Sequence, residues 1–107
     1  MATFQIIKSD KSTAWYYELK STSTGETILN SEGYATRNAA MEGIESVKRN
    51  AGSDRNYELK QSIFFSFSLK AINGETIGIS KKYTSETERN SVLEMVKKEA
   101  STAIVVL

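Results

Sequence analysis

The chain has 107 residues, 39% hydrophobic and 25% charged, and 14 basic against 13 acidic side chains leave a net charge of +1. That length suits one domain with one modest core, and the near-neutral charge calls for neither a polyanion nor an acidic membrane surface as partner. The chain has no cysteine and no histidine, which excludes disulfides, thiolate sites and a cysteine nucleophile and removes the commonest general base and metal ligand, so neither metal nor cofactor is expected.

Met1 to Phe4 lead straight into a partly alternating stretch, with no basic segment followed by an apolar one. No apolar run approaches the roughly 20 residues that span a bilayer, so a soluble cytoplasmic protein without membrane contact is expected. Residues 4–8 read as a strand and residues 9–13 as a polar turn. From Trp15 the alternation is clean: Trp15, Tyr17 and Leu19 point one way, while Tyr16, Glu18 and Lys20 point the other. That is a half-buried strand with one wet face. Gly25 is expected at positive φ in the following loop, and residues 27–31 form the third strand.

Thr36 is a plausible N-cap. Ala40, Ile44, Val47 and Ala51 then form one apolar stripe on a helix. Lys48 and Arg49 close the helix, and Gly52 is expected in the left-handed position beyond it. Gly43 inside the helix costs about 1 kcal/mol relative to alanine, and close packing of helix on sheet is the reading taken for it. Residues 55–61 form a further strand candidate.

Much of this then recurs. Gly25-Glu26-Thr27-Ile28 returns as Gly74-Glu75-Thr76-Ile77, and Ser31, Tyr34, Glu45, Val47, Lys48 and Ala51 return 49 positions later. Phe65, Phe67 and Leu69 repeat the face of Trp15, Tyr17 and Leu19. Asn73-Gly74 suggests a two-residue type I′ turn, and the first hairpin has one residue more. Ser85 with Glu88 fits a capping box, and the second helix is expected to bury Val92, Leu93, Val96 and Ala100. The apolar run 103–107 should be paired inside the sheet and covered by a helix, because an exposed strand of that kind aggregates. The reading is α+β: two tandem β3-α-β repeats, about 1–54 and 55–107, in one shared antiparallel sheet. Two helices cover one face, the C-terminal strands are exchanged, and a monomer is expected.

The stretches Gly25 to Tyr34, Gly43 to Ala51 and Leu69 to Glu75 resemble the small bacterial proteins of the YegP-like family, domain of unknown function 1508. The resemblance covers almost the whole chain. It implies β3-α-β units that share one antiparallel sheet and exchange their last strands, and it brings no established activity. Val92, Met95 and Glu99 depart from the glycine, serine and asparagine of the first copy.

No catalytic constellation stands out. Serines and lysines lack a motif around them, and no phosphate-binding loop, dinucleotide fingerprint or calcium loop is present. Glu86 and Glu88 suit a helix N-terminus better than acid–base work. Two surfaces remain. Tyr16, Lys20, Phe64 and Lys70 on the wet sheet face could stack and hold single-stranded nucleic acid, although no dense basic stripe accompanies them. Tyr34 and Tyr83 each precede a helix, where an anion could bind, or where each could pack under its own helix. The leading expectation is a non-enzymatic structural or protein-binding module that uses the open sheet face or a sheet edge. A weak nucleic-acid binder is the alternative.

Overall fold

The computed structural model describes residues 2–10, 13–21 and 24–106. Lys11 and Ser12 of the first expected turn, Thr22 and Ser23 of the first hairpin loop, and Leu107 of the terminal run lie outside the described residues. The order is β1 (Ala2–Lys8), β2 (Trp15–Ser21), β3 (Thr27–Asn30), α1 (Arg37–Asn50), β4 (Tyr57–Gln61), β5 (Phe65–Lys70), β6 (Thr76–Ile79), α2 (Glu86–Glu99) and β7 (Ile104–Val106). A short 3₁₀ turn precedes β4 and another precedes β7.

All seven strands join one sheet in the order β4-β5-β6-β3-β2-β1-β7. Register puts Phe4 opposite Leu19 and Leu19 opposite Leu29, with Tyr57 opposite Leu69 in the other half. These side chains share one face, and the apolar stripes of α1 and α2 cover it. Phe4, Leu19, Ile44, Val47, Phe67, Leu69 and Val96 are all fully buried, each large side chain contributing about 1.5–3 kcal/mol. The expected stripes are those observed, with Leu93 only half-buried against the core.

Both N-caps form as their sequences require. The Thr36 hydroxyl accepts the Ala39 N–H at 3.0 Å, and the Ser85 hydroxyl accepts the Glu88 N–H at 3.1 Å. The helix ends differ from expectation. Ala51 caps α1 in a right-handed conformation, and among the described residues Gly25 and Gly74 are at positive φ, not Gly52. The chain turns directly into the 3₁₀ segment Asp54–Asn56, which leaves Gly52 no left-handed role. Asn73 is not at positive φ either, so the second hairpin lacks a type I′ turn. The Gly74 N–H bonds to the Ala71 carbonyl at 2.9 Å and the Ala71 N–H to the Glu75 carbonyl at 2.8 Å. Those bonds close a three-residue loop with glycine left-handed at its end. The first hairpin is one residue longer, closed by Gly25 N–H to Ser21 C=O at 2.8 Å.

Two corrections concern the terminal strand. The sheet is mixed, because β7 pairs with β1 in parallel, Phe4 opposite Val105. Strand β6 opposes β3, β3 opposes β2 and β2 opposes β1; the chain reverses across α2, so β7 returns pointing along β1. Strand β7 is also an edge and not an interior strand, with Ile104 57% and Val106 44% exposed. Only Val105 turns toward the helices.

The two halves meet at β3 and β6 through one registered pair, Asn30 opposite Ile79. Beside it, a Cβ built on Gly78 would stand 2.6 Å from Leu29. Residues 29 and 78 are 49 positions apart, so the join places corresponding positions against each other, and only one of them can be large.

Candidate functional site

The face away from the helices carries one registered row across the sheet: Glu58, Ser68, Ile79, Asn30, Glu18, Gln5 and Val106. Tyr16 lies two residues before Glu18 in β2, and Lys70 two residues after Ser68 in β5. Because β2 and β5 run in opposite directions, these two share one end of the sheet, and Lys20 and Phe64 share the other. Three strand spacings, about 14 Å, separate the members of each pair, and Tyr16 and Phe64 also lie roughly 20 Å apart along the strands. The four residues therefore do not converge on one platform. Phe64 stands outside β5, in the bend after β4, and is 41% exposed. Lys20 lies 3.8 Å from the Glu18 carboxylate, and the Lys70 ammonium donates to the Thr76 hydroxyl at 2.7 Å.

The tyrosine corners start alike and end differently. Tyr34 exchanges backbone bonds with Trp15, and Tyr83 with Phe65, each at 2.8 Å. The Tyr34 ring stacks on Tyr17 with centroids 5.7 Å apart. The Tyr17 hydroxyl donates to the Ile77 carbonyl, so the Tyr34 hydroxyl, 3.3 Å away, donates to it in turn. Burial, the bond to Tyr34 and the charge Tyr34 would carry all push the Tyr17 hydroxyl upward in pKa. Phe67 takes the place of Tyr17 in the second half and offers no hydroxyl. There, burial and the nearby Glu26 and Glu88 carboxylates push up the Tyr83 hydroxyl.

Each corner also meets the hairpin of the opposite half. Glu75 and Thr76 line a hollow of about 310 Å³ with Glu32, Gly33 and Tyr34, and Glu26 acts on Tyr83. This is where the duplicated Gly-Glu-Thr segments go. Carboxylates at both corners oppose an anion at either helix N-terminus. Gly43 explains how Tyr34 fits: a Cβ there would lie 2.6 Å from the Tyr34 hydroxyl and 2.9 Å from Cε2 of Tyr17. The packing reading of both Gly43 and Tyr34 agrees with this geometry.

Arg89 is the side chain that sequence reasoning missed. It is 4% exposed on α2, at the position corresponding to Ala40 in the stripe of α1. Its guanidinium donates to the carbonyls of Lys60 and Ser66, each at 3.3 Å, and to the Asn90 side-chain oxygen at 2.9 Å. It lies 5.6 Å from the centre of the Phe65 ring and 3.6 Å from the Glu86 carboxylate. The signal was an arginine standing where the repeat puts alanine. Arg89 ties α2 to the β4–β5 hairpin, whose apolar side chains are conspicuous for exposure: Leu59 54%, Ile63 86% and Phe64 41%. A second hollow, about 400 Å³, lies between Ser46, Arg49 and Asn50 of α1 and the hairpin tip from Ala71 to Asn73.

Among the described residues no group of three or more acidic side chains could hold a metal, and no helix is long and apolar enough to cross a membrane. Comparison with known proteins matches the family model "Domain of unknown function (DUF1508)" twice, over residues 10–58 and 64–106. The chain belongs to the DUF1508 family. A UPF0339 protein encoded in the ptx operon 5′ region of Stutzerimonas stutzeri is 42% identical over 106 residues, covering 97% of this chain and 94% of that protein. The UPF0339 protein YegP of Yersinia pestis is 40% identical, covering 92% and 89%. Among solved structures, YegP of Escherichia coli, described as a protein of unknown function, superimposes with a TM-score of 0.88 at 34% identity, covering 97% of this chain and 90% of that one. A UPF0339 protein of Shewanella oneidensis gives 0.90 at 31% identity, covering 97% and 88%.

Proposed function

We propose that this DUF1508 chain is a small non-enzymatic protein-interaction module, built of two repeats at about 1–54 and 55–107, whose docking element is the β4–β5 hairpin. The observation that carries this reading is the run of exposed apolar side chains Leu59, Ile63 and Phe64 on one hairpin at the end of the sheet. Large apolar groups held in water on an ordered element mark contact sites. The face away from the helices instead mixes the polar and charged Glu58, Ser68, Asn30, Glu18 and Gln5 with the exposed Ile7, Ile79 and Val106. Among the described residues, Tyr17, Tyr57, Tyr83 and Lys97 have shifted ionisation. Tyr17 and Tyr57 donate to the backbone carbonyls of Ile77 and Ala51, and Lys97 pairs with Asp54 and Glu94. For Tyr17, Tyr57 and Lys97 these are structural duties.

The test is a low-salt pull-down from cell lysate with immobilised protein, a Leu59→Asp/Phe64→Ser variant and a Tyr16→Ala/Lys20→Ala variant. A discrete protein held by the wild type and the sheet-face variant, but lost with the hairpin variant, is expected. An eluate unchanged by the hairpin substitutions refutes the reading. Nucleic acid lost with Tyr16→Ala/Lys20→Ala moves the site to the sheet face.

A further inference from the structure

Strands β1 and β4 occupy corresponding places in the two halves of the sheet. Phe4 faces Leu19 as Tyr57 faces Leu69, and Phe4 and Tyr57 each meet the next aromatic edge-on, Tyr17 and Phe67. The outer side of β1 is filled by β7. The outer side of β4 is the end of the sheet. Leu59, in the place of the half-buried Ile6, is exposed there.

The backbone of this edge is oriented for pairing. Phe65 and Tyr83 exchange bonds at 2.8 Å, and the Phe67 carbonyl receives the Ser80 N–H at 3.0 Å, so Phe65 and Phe67 direct their backbone toward β6. Ser66 and Ser68 therefore face β4 and bond with Lys60 and Glu58, which leaves the N–H and C=O groups of Leu59 and Gln61 pointing outward. The Tyr57 N–H is taken by the Asp54 carbonyl.

Charged side chains on an edge normally discourage strand addition. Here they are self-complementary. Glu58 and Lys60 flank Leu59, both 56% exposed and 3.7 Å apart. We infer that β4 pairs antiparallel with β4 of a second copy of this chain, centred on Leu59, so that Glu58 of each copy opposes Lys60 of the other. With Leu59 meeting Leu59 as the hydrogen-bonded pair on the two-fold axis, Glu58 and Lys60 fall on non-hydrogen-bonded sites, where opposing side chains are closest. The symmetry closes at two copies, whereas β4 against the β7 edge of another copy would grow without limit. This inference rests on the reading of the β4–β5 hairpin as the docking element and names its partner.

The test is sedimentation velocity of the full chain from about 10 μM to 1 mM, a range set for a weak edge-to-edge contact. The set comprises the wild type, Glu58→Lys, Lys60→Glu and the double exchange Glu58→Lys/Lys60→Glu. A concentration-dependent dimer is expected, weakened about tenfold or more by either single reversal and restored by the double exchange. Circular dichroism confirms that these exposed substitutions leave the fold intact. A wild type that stays monomeric throughout overturns the self-pairing, as does a dimer indifferent to single reversal or not restored by the double exchange. Species that grow beyond two copies overturn it too. A foreign protein still captured through Leu59 and Phe64 would then leave the docking reading standing, so the two failures are separable.

Discussion

Replacing Gly43 by alanine sets two effects of opposite sign against each other. In an exposed helix the change would stabilise by about 1 kcal/mol, because glycine carries the larger backbone entropy cost. Here the new methyl would stand 2.6 Å from the Tyr34 hydroxyl, 2.8 Å from Tyr34 Cζ and 2.9 Å from Tyr17 Cε2. Tyr17 cannot give way. It is 1% exposed, lies within β2, and its hydroxyl is bound to the Ile77 carbonyl. Helix α1 cannot lift without exposing Ile44 and Val47, both fully buried. Overpacking of this kind costs about 1–3 kcal/mol, so after the propensity gain a net loss of up to about 2 kcal/mol remains. That corresponds to a Tm lowered by up to roughly 10 °C, measured by thermal and urea unfolding. In a double-mutant cycle, Tyr34→Ala should recover part of the loss, because removing that ring clears two of the three close contacts. A Gly43→Ala protein more stable than wild type would refute the argument and show that the tyrosine corner yields.

Two further predictions concern buried polar groups. The hydroxyls of Tyr17 and Tyr57 are pushed above the usual tyrosine value of 10.0, chiefly by burial; the folded protein therefore keeps protons that the unfolded chain releases. Their contribution is complete below pH about 10 and falls above it, by up to about 1.4 kcal/mol per pH unit for each. Absorbance of tyrosinate should show these two ionising only with unfolding, and smooth titration of every tyrosine in a folded chain would contradict this. Arg89→Ala should destabilise by about 2 kcal/mol through lost charge-assisted bonds and the contact with Phe65. Faster amide exchange should be confined first to β4 and β5, and unchanged exchange there would refute Arg89 as the tie between α2 and that hairpin.

What local chemistry controls was legible in the residues. Alternation in Trp15 to Leu19 and the stripe Ala40, Ile44, Val47 and Ala51 depend on the 2.0 and 3.6 residue periods of the backbone, and the caps at Thr36 and Ser85 on the unpaired N–H groups of a helix's first turn. The recurrence at 49 positions likewise announced matching elements and a common core. Its limits show at Gly43 and Ala40, which correspond to Val92 and Arg89. There the second half repeats the fold and alters the contacts.

Only the tertiary structure decided which distant segments become neighbours. A strand's period says which side chains share a face and says nothing of its direction or its place in the sheet. So β7 could be foreseen as a strand but not as the parallel outer neighbour of β1. The separation of Tyr16 from Phe64 follows from β2 and β5 running oppositely across β3 and β6. The open edge at β4 has the same origin. One strand both follows α1 and opens the second half, so the described residues supply an outer partner for β1 and none for β4.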